Sequence, residues 1–565
     1  MTRTDDDTAG LAEAVRQRAT QWLADDPDPA SRDELRRLLD GLPGTAGELT
    51  DRFAGTLTFG TAGLRGPLRA GPNGMNLAVV RGAARGLASW LDAQGATGPV
   101  VIGFDARHGS REFAAETARV VTGTGRAALV MPRPLPTPVL AFAVRALDAA
   151  AGVMVTASHN PPQDNGYKVY LGAGLGGPLG AGAQIVPPAD QEIEAAIRAV
   201  GPLEDVPLGG TGEVLGEEIV ERYLDAVAAL PVPGGPRGLT VAYTPMHGVG
   251  ATVLAAAFTR AGFAVPHAVA EQVEPDPAFP TVSFPNPEEP GAMDLVLALA
   301  GRVGADIALA NDPDADRCAV AVPDPDAPGS WRMLRGDEVG VLLGDHLMAR
   351  GARGLYAASI VSSSMLGALC ERRGLPHAET LTGFKWIVRA GGEGAAPLAF
   401  GYEEALGYSV APDLVRDKDG ISAALLVAEL AAQLKARGRT LTDRLDELAA
   451  EVGLHGTDQL SVRVTDLSRI GEAMTRLRAD PPARLLGAGV TSVEDLLPES
   501  DVMILRTAAA RVIVRPSGTE PKLKAYLEVV EPVEGGAGAV PAARRRATAA
   551  LDRLRAEVAD ALGLA

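Results

Sequence analysis

Residues 153–170 read VMVTASHNPPQDNGYKVY. An apolar, β-branched run gives way to Ser158, His159 and Asn160 and then turns on two prolines, which reads as a buried strand ending in a polar loop. The same design recurs in PVVIGFDAR (99–107), AALVMPRP (127–134), LTVAYTPMHG (239–248), DIALANDPDAD (306–316) and GLYAASIVSSS (354–364). Helical patterns lie between these runs, so the chain is expected to be α/β, with ligands bound at the loops beyond the strand carboxyl ends.

The chain has 565 residues, too many for one hydrophobic core, and three to five domains are expected. No uninterrupted apolar run is long enough to span a membrane. The start, MTRTDDDTAGLAEAVRQ, is acidic and lacks the basic-then-apolar order of an export signal. Only Cys318 and Cys370 are present, which fits a reducing cytoplasm. A net charge of −18 argues against nucleic acid and anionic membranes as partners, and an anionic small ligand would need locally gathered positive charge.

The first fifty residues read as two helices, with Leu11, Val15, Trp22 and Leu23 at near-helical spacing and Ser31 with Glu34 as a capping box. GAGLGGPLGAGA (172–183), PDPDAPGS (323–330) and PVEGGAGAVPAA (532–543) read as surface loops. At the other end, ARVIVRPSG and KLKAYLEVV read as strands and AARRRATAALDRLRAEVADAL as a helix, together a small α+β terminal domain.

Four loops carry chemistry. Ser158 is not an ordinary serine-hydrolase nucleophile: Thr156 and Asn160 stand where G-x-S-x-G has glycines, and on an extended backbone His159 would point away from its neighbour. It is either a hydroxyl that carries a group such as phosphoryl or a structural Ser-Asn turn. Asp312, Asp314 and Asp316, at i, i+2 and i+4 behind an apolar strand, can aim three hard oxygens at one Mg²⁺; a solvated acidic turn is the plainer reading. RVIVRPSGTEPKLK offers Arg515, Ser517, Gly518 and Thr519 as a phosphate cradle without a P-loop, or as an exposed basic turn. LTGFKWIV and FGYEEALGY place Lys385, Glu403 and Glu404 beside glycines, where carboxylates could accept from sugar hydroxyls.

GTAGLRG (60–66), TASHNP (156–161), DPDADR (312–317) and RPSGTEP (515–521) stand together in an order that resembles the α-D-phosphohexomutase superfamily, which includes phosphoglucomutases and phosphomannomutases. The resemblance runs from about residue 55 onward. SHNPPQDNGYKVY, TPMHGVG, FPTVSFPNPEEP, TGFKW and YEEALGY are most similar to the phosphoglucomutase-2 and phosphopentomutase branch.

The resemblance implies four domains around a central cleft, three similar α/β units and a smaller α+β one. The expected divisions are 1–50 (helical extension), 51–208 (phosphoserine loop), 209–326 (metal loop), 327–452 (sugar loop) and 453–565 (phosphate loop). It makes Ser158 the phosphoserine and, through its phosphate, a fourth ligand beside Asp312, Asp314 and Asp316 for Mg²⁺. Arg317 would steady that phosphate, with Arg65 near the reacting group; Arg515, Ser517, Gly518 and Thr519 would hold the distal phosphate. Glu403 would read sugar hydroxyls, with Glu404 and Lys385 in the same region. Lys168, Lys418 and His159 are the acid/base candidates.

The implied activity is interconversion of a sugar 1-phosphate and its 5- or 6-phosphate, of glucose or of ribose and deoxyribose, through a bisphosphate. Sugar 1,6-bisphosphate or pentose 1,5-bisphosphate would be the primer, and the protein would be a monomer or weak homo-oligomer. Two departures bear on substrate choice: Ala405 stands where many relatives have a serine, and Gly407 where some bacterial members have a histidine. Alternatives are a sugar bisphosphate synthase, a phosphomannomutase, a dehalogenase-type phosphatase with Asp312 as nucleophile, and a non-catalytic sugar-phosphate sensor.

Overall fold

The computed structural model describes residues 3–60, 63–464, 468–517 and 522–563. These divide into two compact units, Met1–Leu334 with Gly407–Gln433, and Arg335–Leu406 with Leu434–Ala565. No helix among the described residues is long and apolar enough to cross a membrane.

Three helices open the first unit, Arg3–Asp25, Pro29–Asp40 and Ala46–Arg52, where the sequence pattern suggested two. The second starts earlier than the expected capping box: Asp28 accepts from Ala30 N, Pro29 sits in the first turn, and Ser31 donates to Asp26 instead. Val15, Ala19, Leu35, Leu49 and Phe53 bury one shared face with Ala70. Buried Arg52 ties this layer down, bonding Glu48 and Glu34 and donating to the Ala70 carbonyl.

The six quoted runs all form strands, because each is apolar and short enough to be buried on both faces. In the first sheet the order is Leu64–Pro67, Asp164–Leu171, Ala151–Val155, Val100–Phe104, Ala128–Val130, Glu213–Val214. Its centre is parallel, while Asp164–Leu171 returns antiparallel to Ala151–Val155 with Lys168 opposite Met154. The hairpin therefore carries Ser158 at its tip and Lys168 on its return arm. A second sheet is centred on Val241–Thr244 parallel to Ile307–Ala310, from which the aspartate loop emerges. Residues 172–183 are not a plain loop: Ala173–Gly180 is helical, broken at Gly177, whose φ is 63°.

In the second unit, Leu355–Ser359 pairs in parallel with His377–Thr380 and Leu398–Glu403. The C-terminal part is an antiparallel sheet in the order Leu454–Arg463, Lys522–Glu531, Ala510–Pro516, Met503–Arg506, Ser492–Asp495. The helix Val540–Leu562 buries Ala547, Leu551, Leu554 and Val558 in the apolar cluster that includes Val512, Val514 and Leu527, so the expected α+β terminal domain is present.

In the second unit the Asp337 carboxyl stands above its ordinary range. Asp337 Oδ1 accepts from Ser363 N and the Tyr402 hydroxyl, yet burial pushes its pKa up to about 7. Its folded state thus holds a proton that the unfolded state, with an ordinary aspartate, releases near pH 4. Stability from this group is complete below that value and is lost as pH rises toward about 7. Asp337→Asn keeps the accepting oxygen without the charge. Its melting temperature, measured from pH 5 to 8, should exceed the parent's by a margin that widens to about pH 7 and then holds; a margin independent of pH would contradict the assignment.

Candidate active site

Buried strands place the reactive groups of the first unit. Past Val155 the backbone turns sharply: Ser158 N donates to Thr156 Oγ1 (2.9 Å), Asn160 N to the Ala157 carbonyl (3.0 Å), and Ser158 takes a φ of +52°. That left-handed conformation is strained for serine. It also overturns the extended-backbone expectation for His159. With the chain curled, His159 Nδ1 lies 3.1 Å from Ser158 Oγ, and Ser158 Oγ donates to Asp312 Oδ2 at 2.8 Å.

The aspartate loop is equally curled. Ala315 N closes a turn on the Asp312 carbonyl (2.8 Å) with φ +53°, and Arg317 N donates to Asp312 Oδ1 (3.0 Å). Asp312, Asp314 and Asp316 are fully buried, each with a carboxylate oxygen within 4.8 Å of the others. The loop between Val241–Thr244 and the helix Gly250–Arg260 packs against the aspartate loop. Met246 and His247 both have positive φ there, and a Cβ on Gly248 would lie 2.3 Å from Pro313 Cα.

Positive groups meet the trio from several sides. Lys168 Nζ bonds Asp314 Oδ2 (2.8 Å) and Asp316 Oδ2 (3.1 Å), Lys418 Nζ lies 3.4 Å from Asp316 Oδ2, and Arg317 Nε is 3.8 Å from Asp312. Thr137 Oγ1 donates to Asp314 Oδ2 (2.7 Å). Burial and then the repulsion of Asp316 and Asp314 push Asp312 well above the usual carboxylate range. Burial pushes Asp314 the same way, but the Lys168 ammonium overrides it and holds that carboxyl below its ordinary range. Burial would lower Lys168 in turn, and the facing carboxylates raise it instead. His159 is held well below its usual range by burial and by the Arg317 and Arg65 guanidiniums, which keeps the imidazole neutral.

A divalent cation fits this cluster. Asp314 Oδ1 and Asp316 Oδ1 are buried without a hydrogen-bond partner, and hard carboxylate oxygens grouped in this way are what such an ion takes.

Arg65, on a strand paired through Gly166 to the same hairpin, donates to Asn160 Oδ1 (3.1 Å). One residue of consequence was absent from the sequence reading, Arg107 in GFDARHG. Its guanidinium donates to the carbonyls of Ser158 (2.6 Å), Asn160 (2.5 Å), Pro161 (2.8 Å) and Asp164 (3.2 Å), and sits 4.9 Å over the Phe279 ring. Only the G-x-D-x-R ending of a buried strand marked it, and its partners lie fifty residues away.

The first unit therefore brings Ser158, His159, Lys168, Asp312, Asp314, Asp316, Arg317 and Lys418 into one cluster, with Arg65 at its edge. In the second unit Glu403 is buried at the end of Leu398–Glu403, Glu404 follows half-buried, and Lys385 Nζ lies 5.8 Å from the Trp386 ring. Arg515 closes the Ala510–Pro516 strand, and Ser517 N donates to the Lys522 carbonyl (2.8 Å). Gly518 and Thr519 lie outside the described residues.

A hydroxyl seated on a carboxylate trio and flanked by arginines and lysines suits an enzyme that handles phosphoryl groups beside a metal ion. Phosphoglucomutase/phosphomannomutase models match the chain in order: alpha/beta/alpha domains I over 56–202, II over 221–326 and III over 335–452, and the C-terminal domain over 460–541. A Haemophilus influenzae protein named "Probable phosphomannomutase" is 48% identical over 463 residues, 80% of this chain and 93% of the relative. The Mus musculus phosphopentomutase is 33% identical over 584 residues, 93% of this chain and 91% of the relative. A solved structure titled "putative phosphomannomutase", from Thermus thermophilus, superposes with a TM-score of 0.70 at 27% identity, covering 89% of this chain and 99% of that one. The chain belongs to the phosphoglucomutase/phosphomannomutase family, and it is a phosphosugar mutase, an isomerase.

Arg107 holds the strained serine turn by a planar fork that lysine cannot reproduce. Arg107→Lys keeps the charge and should fold, with mutase kcat/KM about ten- to a hundredfold lower, as for loss of one or two charge-assisted bonds that set geometry. A rate within about twofold of the parent would remove the role.

Proposed function

We propose that Ser158 is the phosphoryl carrier of a mutase that interconverts sugar 1-phosphates with their 5- or 6-phosphates through a bisphosphate. The observation that supports this most directly is Ser158 Oγ at 2.8 Å from Asp312 Oδ2 within the carboxylate trio. In the forward half, the free hydroxyl oxygen of the sugar monophosphate attacks the phosphorus on Ser158. The phosphorus–Oγ bond breaks and the hydroxyl proton passes to a nearby base. In the return half Ser158 Oγ takes the other phosphoryl group, so the sugar leaves isomerised and the enzyme rephosphorylated.

Asp312, Asp314 and Asp316 would hold Mg²⁺, which when bound neutralises charge on the phosphoryl oxygens. Arg317 and Arg65 supply donors beside Ser158 without waiting for reorganisation. His159 Nδ1, neutral and 3.1 Å from Oγ, can hold a proton at the serine itself. Lys168 and Lys418 border the same cluster, and the sugar hydroxyl's proton is assigned to one of them. In the second unit Glu403 reads the sugar hydroxyls, with Lys385 in the same loop region, and Arg515 with Ser517 to Thr519 takes the distal phosphate. A sugar or pentose bisphosphate primes unphosphorylated enzyme. Buried, unpaired Cys318 and Cys370 suit a cytoplasmic setting.

The sugar is read as permissive. Ala405 offers no hydroxyl in the sugar loop, and one missing hydrogen bond, about 1 kcal/mol, tilts preference roughly fivefold without forbidding a substrate. Mannose is the second reading, because the Haemophilus relative named as a phosphomannomutase matches at 48%. The test is a panel of glucose, mannose, ribose and deoxyribose 1-phosphates, each with Mg²⁺ and a primer, run on the parent and on Ser158→Ala. The parent should turn over a pentose and at least one hexose phosphate, and the variant should fall below about a hundredth of the parental rate on all of them. A variant above that level would contradict the carrier role.

A further inference from the structure

Outside the carboxylate cluster, the second unit buries another set of polar groups around residues 359–364, SIVSSS, the loop that follows Leu355–Ser359. Its apolar members, Ile360 and Val361, pack into a cluster with Val502, Ile504, Ile513 and Tyr526 of the C-terminal sheet. Its polar members are bonded on two sides.

On the sheet side the anchor is Arg511. Its guanidinium donates to the Ser362 carbonyl and pairs with Glu379 (2.8 Å) and Glu528 (2.9 Å). Glu528 Oε1 accepts from Ser363 Oγ (2.7 Å) and Ser364 N (2.8 Å). Arg511 lies on the same strand, Ala510–Pro516, as Arg515.

On the other side the loop meets Glu404. Glu404 N donates to Ser362 Oγ (3.1 Å), Ser362 Oγ lies 2.8 Å from Ser359 Oγ, and Ser359 Oγ donates to Glu404 Oε2 (3.1 Å). With the Ser362 hydroxyl hydrogen directed to Ser359 Oγ, each of the three donors has its own acceptor and the bonds close a ring on one residue. The backbone is held as tightly: a Cβ on Gly336 would fall 1.8 Å from the Glu404 carbonyl oxygen. The turn so fixed contains Leu406 at φ +63°, a conformation leucine adopts only under constraint.

We propose that Glu404 is a positioning residue, not a sugar ligand: bonded to Ser359 and Ser362, it locks the turn that sets Glu403, and Arg511 anchors Ser362 to the sheet that carries Arg515. This rests on the mutase reading, in which Glu403 meets the sugar. The paired carboxylates of YEEALGY then divide their work, Glu403 toward substrate and Glu404 toward the serine loop.

The experiment measures kcat and KM for the preferred sugar 1-phosphate in Glu403→Gln, Glu404→Ala, Glu404→Gln, Ser362→Ala and the Ser362→Ala/Glu404→Ala double variant, with melting temperature as a check on folding. Glu404→Ala and Ser362→Ala should each raise KM about five- to tenfold with kcat nearly kept, as for a lost hydrogen bond that orders the site. The double variant should be no worse than Glu404→Ala alone, because both act through one ring. Glu404→Gln, whose amide oxygen still accepts from Ser359, should stay within about threefold of the parent. A silent Ser362→Ala beside a damaging Glu404→Ala, or single effects that multiply in the double, would make Glu404 a direct ligand and overturn the proposal. A lowered melting temperature with unchanged KM in Ser362→Ala would overturn it too, by leaving only a structural role. If Glu403→Gln alone leaves KM at the parental value, the sugar-loop reading fails first and separately.

Discussion

Three buried carboxylates within 4.8 Å of one another are the constraint from which the catalytic unit is built. Two like charges about 4 Å apart repel by about 4 kcal/mol even at an effective dielectric of about 20. Such a loop survives only if positive charge and donors are brought to it. The fold does this from several directions: Lys168 on the return arm of the serine hairpin, Thr137 at a helix start, Lys418 just before the helix Gly420–Lys435, and Arg317 in the loop itself. Asp314 Oδ1 and Asp316 Oδ1 still lack hydrogen-bond partners, and Asp312 is still pushed toward the neutral form. Those unsatisfied oxygens are what suits the cluster to a metal ion.

Ser158 is tied to the same cluster. Ser158 sits at a left-handed φ, and nothing in its own side chain favours this. Its conformation is held from outside, by Arg107 on four carbonyls and by Asp312 on its hydroxyl. The Ser158–Asp312 bond joins the strained turn to the carboxylate trio, so the serine and aspartate loops support each other.

Much of this was legible in the letters. Short apolar runs ending in loops announced the α/β strands, and i, i+2, i+4 spacing put Asp312, Asp314 and Asp316 on one inward curve. The resemblance of four ordered motifs carried the family. Hidden were the contacts between residues far apart in sequence. Arg107 reads as an ordinary basic residue until the fold lays it under the serine turn, and Glu404 reads as a twin of Glu403 until Ser359 and Ser362 close around it. The His159 expectation failed for a local reason, because alternation holds only on extended backbone and Ser158 is not extended. The Gly-rich stretch 172–183 likewise read as a loop, since composition does not reveal that Arg416 takes the Pro178 carbonyl and Gln184 bonds Asp417 (2.8 Å) beside Lys418.

The claim that all of this serves is that Ser158 carries the phosphoryl group, and the direct measurement is its location. Parent enzyme is incubated with Mg²⁺ and glucose 1,6-bisphosphate or ribose 1,5-bisphosphate, and intact mass and then peptide mass spectrometry follow. The account predicts a gain of one phosphoryl group on the peptide containing Ser158, removed on addition of excess sugar monophosphate. A phosphoryl group found on Asp312, or no gain under conditions of full turnover, would contradict it.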